Sequence, residues 1–155
     1  MYSIILLSYY SEKRIVNVFN RVSKALEQEQ IPFEFIIMDD GSKDNSYQVA
    51  LELEKQDSRV RSYQLSKNYT SHYSKFAAFT VCKGDCATSI PDDEQMPLEI
   101  IIKMYRTWQK GHKIVMPYRI SRNDGKIKDS FSNLYYKMMN SITDVTLPKG
   151  GADGF

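Results

Sequence analysis

Two short apolar runs separated by an amphipathic stripe constrain the fold of this chain most. Residues 4–7 (IILL) and 33–38 (FEFIIM) are too short for helices and are rich in Ile, Leu and Phe. Between them, over residues 13–30, apolar side chains recur at three- and four-residue spacing, which is typical of a helix with one buried face. The pattern predicts a strand, a helix and a second strand, with both strands buried on two faces as in a parallel sheet.

The same alternation continues along the chain. It predicts an α/β fold with a mostly parallel central sheet and helices on both faces, forming one domain over residues 1–155. In the helix at 75–83 we expect Phe76, Ala77, Phe79 and Thr80 to face inward. The further predicted strands are 61–65, 87–90 and 112–118, and the further helices are the segment after DDGSKDNS, then 75–83, 98–110 and the stripe at 127–142.

The composition excludes several classes of protein. With 155 residues, 42% of them hydrophobic and a net charge of +2, the chain is long enough for one core and gives no reason to expect a nucleic-acid partner. No apolar run approaches the roughly 18 residues of a membrane span, and the first residues lack the basic lead of a secretion signal. We therefore expect a cytoplasmic protein in which Cys82 and Cys86 are reduced thiols.

An acidic loop follows the second predicted strand. Asp39 and Asp40 lie at its carboxyl end, where open parallel sheets bind ligands. Two adjacent carboxylates repel each other, so a partner that donates hydrogen bonds is expected. Gly41 allows a tight turn at positive φ. The alternative is that the loop only turns the chain and caps the next helix.

A second acidic cluster follows the strand at 87–90. Asp92, Asp93, Glu94 and Gln95 again lie at a carboxyl end. Carboxylate and amide oxygens suit Mg²⁺ or Mn²⁺, which bridge a protein carboxylate and a diphosphate. The alternative is that Asp92 or Asp93 caps the helix that follows Pro97.

Five stretches, in order, resemble the glycosyltransferases of family 2, which have the GT-A fold. The resemblance covers nearly the whole chain, and five motifs are more specific than any one alone. The stretches are IILLSYYSEKRI, FEFIIMDDGSKDNS, LSKNYTSHYSKFAAFTVCKGD, SIPDDEQMPLEII and PYRISRNDGKIKDSFSNLYYKMMN, the last similar to the branch acting on polyprenyl phosphates.

The resemblance implies roles for particular residues. Asp39 would accept the N–H of the nucleobase and Asp40 would lie near the ribose or diphosphate. Asp93 and Gln95 would hold a divalent ion, Mg²⁺ or Mn²⁺. The remaining nucleotide-binding candidates are Tyr9, Asn68 and Asp92.

The chain departs from the family pattern in two motifs. The first Asp of the metal motif falls at Pro91, which has no side-chain ligand, and Asp92 is the residue that would compensate. In the first loop the usual Pro, Asn and Glu are Leu7, Tyr10 and Ser11.

The implied reaction is inverting transfer of a sugar from a UDP- or GDP-sugar donor. The implied nucleotide-binding part is residues 1–97, and the acceptor-binding part begins at 98–155, in a chain that we expect to be a piece of a longer protein. Arg119 and Arg122 would hold an acceptor or donor phosphate, although a solvated basic loop is the alternative.

Two classes of acceptor follow from this resemblance. A polyprenyl phosphate is slightly favoured, with the full-length protein at the inner membrane face, and a saccharide hydroxyl is the alternative. A hydroxyl acceptor needs a base, for which Asp153 is the candidate, unless it is simply an exposed loop residue. The second hypothesis for the whole chain is a nucleotide-binding fragment without turnover.

Overall fold

Helices and strands alternate along the part of the chain that the computed structural model describes, residues 1–93 and 96–117. The chain divides into two units after Gly111, and all of these elements lie in the first, Met1–Gly111. In order they are β1 (Tyr2–Ser8), α1 (Ile15–Gln28), β2 (Phe33–Asp39), α2 (Ser46–Gln56), β3 (Val60–Gln64), α3 (Thr70–Val81), β4 (Cys86–Pro91) and α4 (Leu98–Gln109).

The four strands form one parallel sheet in the order β3-β2-β1-β4. The two central strands are the apolar runs that the sequence predicts, and Ile4 lies beside Phe35 in their ladder. Ile5 and Ile36 are likewise fully buried, as expected for strands covered on both sides.

Helices cover both faces of this sheet. Ile4 and Leu6 point to the face covered by α1, α2 and α4, whereas Ile5 points to the face covered by α3. Alternate residues of a strand point to opposite faces, so a single strand contributes to both cores. The predicted α/β architecture is confirmed.

The chain reverses its direction across the sheet between β3 and β4. Strands β1, β2 and β3 are laid down side by side, and α3 then carries the chain back so that β4 pairs with the other side of β1. The loops after β1 and β4 therefore diverge at a topological switch point, where open parallel sheets form crevices.

The prediction for the inward face of α3 is partly wrong. The helix begins at Thr70, and Phe76 is 69% exposed while Thr80 is exposed as well. Ser74 and Ala78 are the buried residues, because small side chains let the helix axis approach the sheet closely. The larger Phe76 therefore faces away from the sheet.

The predictions after α4 have different outcomes. Residues 112–117, the described part of the predicted strand at 112–118, are not in a strand. Extended backbone becomes a strand only when its N–H and C=O groups pair with a neighbour, which an apolar sequence cannot guarantee. The helix predicted at 127–142 lies outside the described residues. No helix within residues 1–93 or 96–117 is long and apolar enough to cross a bilayer.

Both cysteines are free thiols, as predicted. Burial raises the pKa of Cys86 to about 11 and also raises the pKa of Cys82. Both thiols are therefore protonated at neutral pH, which makes neither a good nucleophile.

Candidate functional site

A pocket of about 420 Å³ opens at the switch point, between the carboxyl ends of β1 and β4 and the first turns of α3. We call it the switch-point pocket. Its wall combines hydroxyl, amide and carboxylate groups with one tyrosine. The lining residues are Leu7, Ser8, Tyr9, Asp40, Asn68, Thr70, Ser71, Ser74, Pro91 and Asp92.

Four of the five predicted nucleotide-binding residues line this pocket together: Tyr9, Asp40, Asn68 and Asp92. They come from the loops after four different strands, so only the fold brings them together. Tyr9 is 44% exposed and presents its ring edge-on to Tyr10, with 4.6 Å between the ring centroids. The side-chain oxygen of Asn68 accepts a hydrogen bond from the amide of Thr70 at 2.9 Å, which fixes the loop before α3.

The adjacent carboxylates of the DDGS loop have different surroundings. Asp40 faces the pocket, and its Oδ1 accepts the amide N–H of Tyr69 at 2.8 Å. Asp39 is fully buried and does not line the pocket. The repulsion expected between the two carboxylates is relieved because each has its own hydrogen-bond donors.

Asp39 holds the loops behind the pocket wall. Its Oδ2 accepts the Ser42 amide and Gln64 Nε2, each at 2.9 Å, and its Oδ1 accepts the Ser42 hydroxyl. The predicted contact of Asp39 with the nucleobase stays a prediction. The structure instead uses its carboxylate to bind the DDGS loop to β3.

Gly41 lets two loops touch. Its φ is +70°, and a Cβ at this position would lie 2.5 Å from the main-chain carbon of Lys67 and 2.9 Å from the amide nitrogen of Asn68. Real Cβ atoms essentially never come so close to backbone. The glycine of DDGS is therefore required both for its turn and for the seating of the Asn68 loop, which forms one wall of the pocket.

Serine hydroxyls join the first loop to the DDGS loop. Ser42 Oγ accepts the amide of Tyr10 at 3.0 Å, and Ser46 Oγ accepts the amide of Ser11 at 2.7 Å. Tyr10 itself has φ +52°, an uncommon conformation for a tyrosine. The loop between β1 and α1 is therefore held in shape by side chains of the following βα loop.

Asp92 is neutralised by Arg14. Its Oδ2 accepts Arg14 Nε at 3.0 Å and Arg14 Nη2 at 2.6 Å, and it also accepts the hydroxyl of Ser11. Arg14 lies directly before α1 and resembles ordinary surface charge in the sequence, so the sequence patterns do not predict it as a site residue. The long-range pairing with Asp92 becomes visible only in the fold.

The predicted metal ligands are not gathered into an ion site by the described residues. Asp93 is exposed, Gln95 lies outside the described residues, and Pro91 has no side-chain donor. Within residues 1–93 and 96–117 no three His, Cys, Asp or Glu side chains are grouped so that they could hold a metal ion. The described donor set therefore does not fit a preformed Mg²⁺ or Mn²⁺ site.

Ser8 is a pocket residue that the sequence did not single out. It ends β1, is 2% exposed and lines the switch-point pocket. Among the described residues its Oγ is the only buried side-chain N or O atom that has no hydrogen-bond partner. An unpaired buried hydroxyl costs free energy, and such groups are often satisfied by a ligand.

The remaining predicted site residues, Arg119, Arg122 and Asp153, lie outside the described residues. Their predicted roles in acceptor binding and proton transfer stay predictions.

Comparisons with known proteins agree on one family. The family model described as Glycosyl transferase family 2 matches residues 3–153. An uncharacterised glycosyltransferase of Bacillus subtilis, YkcC, is 27% identical over 148 residues, covering 95% of this chain and 46% of that protein. An undecaprenyl-phosphate 4-deoxy-4-formamido-L-arabinose transferase of Pseudomonas fluorescens is 29% identical over 150 residues, covering 96% of this chain and 44% of that protein.

A solved structure shows the same fold. Glucosyl-3-phosphoglycerate synthase of Mycobacterium tuberculosis, solved with Mn²⁺, UDP-glucose and phosphoglyceric acid, has a TM-score of 0.65 at 16% identity, covering 98% of this chain and 55% of that one. This chain spans about half the length of the curated relatives it matches. With a family match over residues 3–153 and the GT-A fold, the chain belongs to glycosyl transferase family 2.

Proposed function

We propose that this chain binds a nucleotide-diphosphate sugar in the switch-point pocket and belongs to an enzyme that transfers the sugar. The observation that carries the proposal is the convergence of Tyr9, Asp40, Asn68 and Asp92 on one pocket at the switch point. Pockets at such points in open parallel sheets are the usual ligand sites of this architecture. The donor is a UDP- or GDP-sugar, and the M. tuberculosis structure with UDP-glucose supports a nucleotide of this kind.

The pocket offers complementary groups for a nucleoside. The ring of Tyr9 presents an aromatic face for a base, and Asp40 is an acceptor for an N–H or a ribose hydroxyl. Asp39 supports the site from behind, because its bonds to Ser42 and Gln64 fix the loop that carries Asp40. In this proposal Asp40 makes the direct contact with the nucleoside, whereas the family resemblance implies that Asp39 makes it.

The transfer leaves negative charge on the departing diphosphate, which a catalyst must neutralise. The M. tuberculosis structure contains Mn²⁺, which supports a divalent ion in the reaction, and we retain Asp93 and Gln95 as the residues that would hold Mg²⁺ or Mn²⁺. When bound, such an ion would offset charge on the diphosphate.

A polyprenyl phosphate is the proposed acceptor. The P. fluorescens relative is named for undecaprenyl phosphate, and this supports the same class of acceptor here. An ionised phosphate needs no strong base, whereas a saccharide hydroxyl would need one, with Asp153 as the proposed residue. Arg119 and Arg122 are the proposed phosphate contacts, in an acceptor-binding part at 98–155 that follows the nucleotide-binding part at 1–97. The full-length protein would then work at the membrane surface.

The first test is thermal unfolding of the 155-residue chain with UDP, GDP and their common sugar conjugates, with Mn²⁺ and with EDTA. We expect one nucleotide class to raise the midpoint, and Asp40→Asn to reduce that rise. Glu52→Asn is the matched control, because Glu52 is an exposed carboxylate on α2. Failure of every nucleotide to stabilise the chain would overturn the proposal. Binding without sugar transfer by this chain, together with transfer by a full-length form, would favour the fragment hypothesis.

A further inference from the structure

The switch-point pocket lacks a cation of its own on its described wall. Two of its lining residues, Asp40 and Asp92, are acidic, and none is Lys or Arg. A nucleotide diphosphate is strongly anionic, so its binding beside two carboxylates requires positive charge from a neighbouring group. The candidate sources of that charge are a divalent ion, the proposed phosphate contacts Arg119 and Arg122, and a basic side chain just behind the lining residues.

Arg14 is such a side chain. Its guanidinium donates twice to Asp92 Oδ2, so it lies one hydrogen bond from the pocket wall. Nη2 also lies 3.2 Å from the carbonyl oxygen of Tyr10, which ties the group to the first loop. The side chain is 47% exposed, so its remaining donors are accessible to solvent.

The contacts of Asp92 disfavour an ion at this carboxylate. Its Oδ2 already accepts two N–H groups and the hydroxyl of Ser11. A divalent cation on the same oxygen would have to displace the guanidinium or be repelled by it. The two departures from the family pattern fall at the same place, because Ser11 replaces a Glu and Pro91 replaces an Asp.

The guanidinium retains donors for a phosphate. The bonds to Asp92 and Tyr10 use Nε and Nη2. A guanidinium has two more N–H groups on Nη1, in a planar fork that matches phosphate oxygens. The carboxylate of Asp92 fixes one side of the fork and orients the other, so Asp92 is a positioning residue for Arg14.

We propose that Arg14, oriented by Asp92, binds the diphosphate of the donor, so that nucleotide binding by this chain does not require a divalent cation. This inference rests on the proposed function, since it assumes a nucleotide in the switch-point pocket. It concerns retention of the nucleotide and leaves the proposed ion in the transfer step aside.

Isothermal titration of the 155-residue chain with UDP and with GDP tests the first half of the inference. The titrations are done in EDTA and again with Mn²⁺. We expect affinity for the preferred nucleotide in EDTA within about threefold of its value with Mn²⁺, a difference of about 0.7 kcal/mol or less. Binding that appears only with Mn²⁺ would overturn this inference and leave the proposed function intact. Absence of binding under both conditions would overturn the proposed function itself.

Variants at position 14 test the second half. Arg14→Met should weaken the nucleoside diphosphate about tenfold or more, which is the usual scale for losing a charge-assisted hydrogen bond. The matching nucleoside, which has no phosphate, should bind both proteins equally, because Arg14 is assigned only to phosphate. Arg14→Lys should restore part of the affinity, since it keeps the charge and loses the fork.

The matched control is Arg106→Met. Arg106 is 44% exposed and pairs with Glu29 on the surface, away from the pocket lining. It should leave nucleotide affinity unchanged. Equal loss of diphosphate and nucleoside binding in Arg14→Met would mean that Arg14 only supports the loop. Unchanged diphosphate binding would overturn its assignment outright.

Discussion

Each end of β2 has a buried carboxylate in the strand or next to it, and the two carboxylates have different surroundings. At the amino end, Glu34 is buried and its carboxylate accepts hydrogen bonds from four groups. At the carboxyl end, Asp40, the residue directly after β2, has the Tyr69 amide on one oxygen and faces a pocket. Burial of a carboxylate therefore does not by itself indicate a ligand site. What marks the site is a pocket in front of the acid.

The amino end is closed by its hydrogen bonds. Glu34 accepts the hydroxyl of Ser3, the amides of Lys83 and Gly84, and the guanidinium of Arg61. A Cβ on Gly84 would lie 2.5 Å from Ser3 Oγ, so no side chain fits there. Such a cluster fixes the loop before β4 to the start of the sheet and satisfies the buried carboxylate with protein donors.

The largest expected effect breaks the closed end. Glu34→Ala should lower the free energy of unfolding by about 3 kcal/mol or more, because it leaves Arg61 and two amides without their buried partner. Urea denaturation of the variant measures the change. Nucleotide affinity of the folded fraction should be unchanged, since the cluster lies at the opposite end from the pocket.

The exposed Glu52 provides the control for this change. Glu52→Ala should leave the denaturation midpoint nearly unchanged. A Glu34→Ala protein as stable as this control would show that the closed cluster contributes little.

The second effect is at the carboxyl end. Gly41→Ala should lower the free energy of unfolding by about 1 to 3 kcal/mol, because its Cβ meets the Lys67 backbone and its φ is +70°. It should also weaken nucleotide binding, since the displaced loop carries Asn68. Denaturation and calorimetry measure the two changes.

Gly111→Ala separates backbone strain from contact. Gly111 has φ +98° and no atom of the described residues within 4 Å of the place of a Cβ, so this variant should lose only about 1 kcal/mol. If both alanine variants lose the same stability, the loop contact at Gly41 is unimportant.

The third prediction concerns the pH dependence of the stabilisation by Glu34. Burial alone raises the pKa of Glu34, but hydrogen bonds from Ser3, Lys83 and Arg61 outweigh it and hold the pKa below its ordinary value of 4.5. The stabilisation is therefore present above about pH 4.5 and is lost as the pH falls through the lower, folded-state pKa. The stability difference between the natural chain and Glu34→Ala should be constant from pH 6 to 7 and shrink towards pH 3. A difference independent of pH would contradict an ionised Glu34.

The smallest expected change in stability concerns Ser8, in the switch-point pocket at the carboxyl end of the sheet. Ser8→Ala should change the free energy of unfolding by about 0.5 kcal/mol or less, because the hydroxyl it removes has no partner in the described structure. Nucleotide affinity should fall about threefold or more if the hydroxyl contacts the ligand. Calorimetry on both proteins measures the loss.

Ser74→Ala is the matched control for Ser8. Ser74 lines the same pocket and is equally buried, but its hydroxyl already donates to the carbonyl of Thr70 at 3.0 Å. It should lose about 1 kcal/mol of stability and little affinity. A reversed pattern would mean that Ser8 faces no ligand.

Sequence patterns were sufficient for the elements with strong periodicity. The apolar runs at 4–7 and 33–38 form the two central strands, because runs of Ile, Leu and Phe are most stable where both faces of the strand are buried. The face of α3 was less predictable, because Phe76 competes with Ala78 for the sheet and helix-to-sheet distance decides the outcome. Residues 112–117 are not in a strand, although their sequence predicts one. Strand formation requires a second segment to pair with, and the sequence of one segment does not show whether such a partner is present.

The candidate site was predictable where residue type and position agreed. Asp40 and Asp92 follow strands directly, and the carboxyl ends of parallel strands lie at the same edge of a sheet. Arg14 was missed because a lone arginine before a helix resembles ordinary surface charge. Glu34 was missed because its partners are distant in sequence and two of them are backbone amides.

The position of β1 in the middle of the sheet has a consequence for biosynthesis. Its two neighbouring strands are synthesised at very different times, because Tyr2 pairs with Phe33 and also with Cys86. Three helices and two strands separate β1 from β4, the strand that contains Cys86. Until β4 leaves the ribosome, one edge of an apolar strand has no native neighbour. Pairing of strands that are distant in sequence slows folding and leaves an aggregation-prone strand edge unpaired. The nascent chain should therefore depend on chaperones most while α3 is being synthesised.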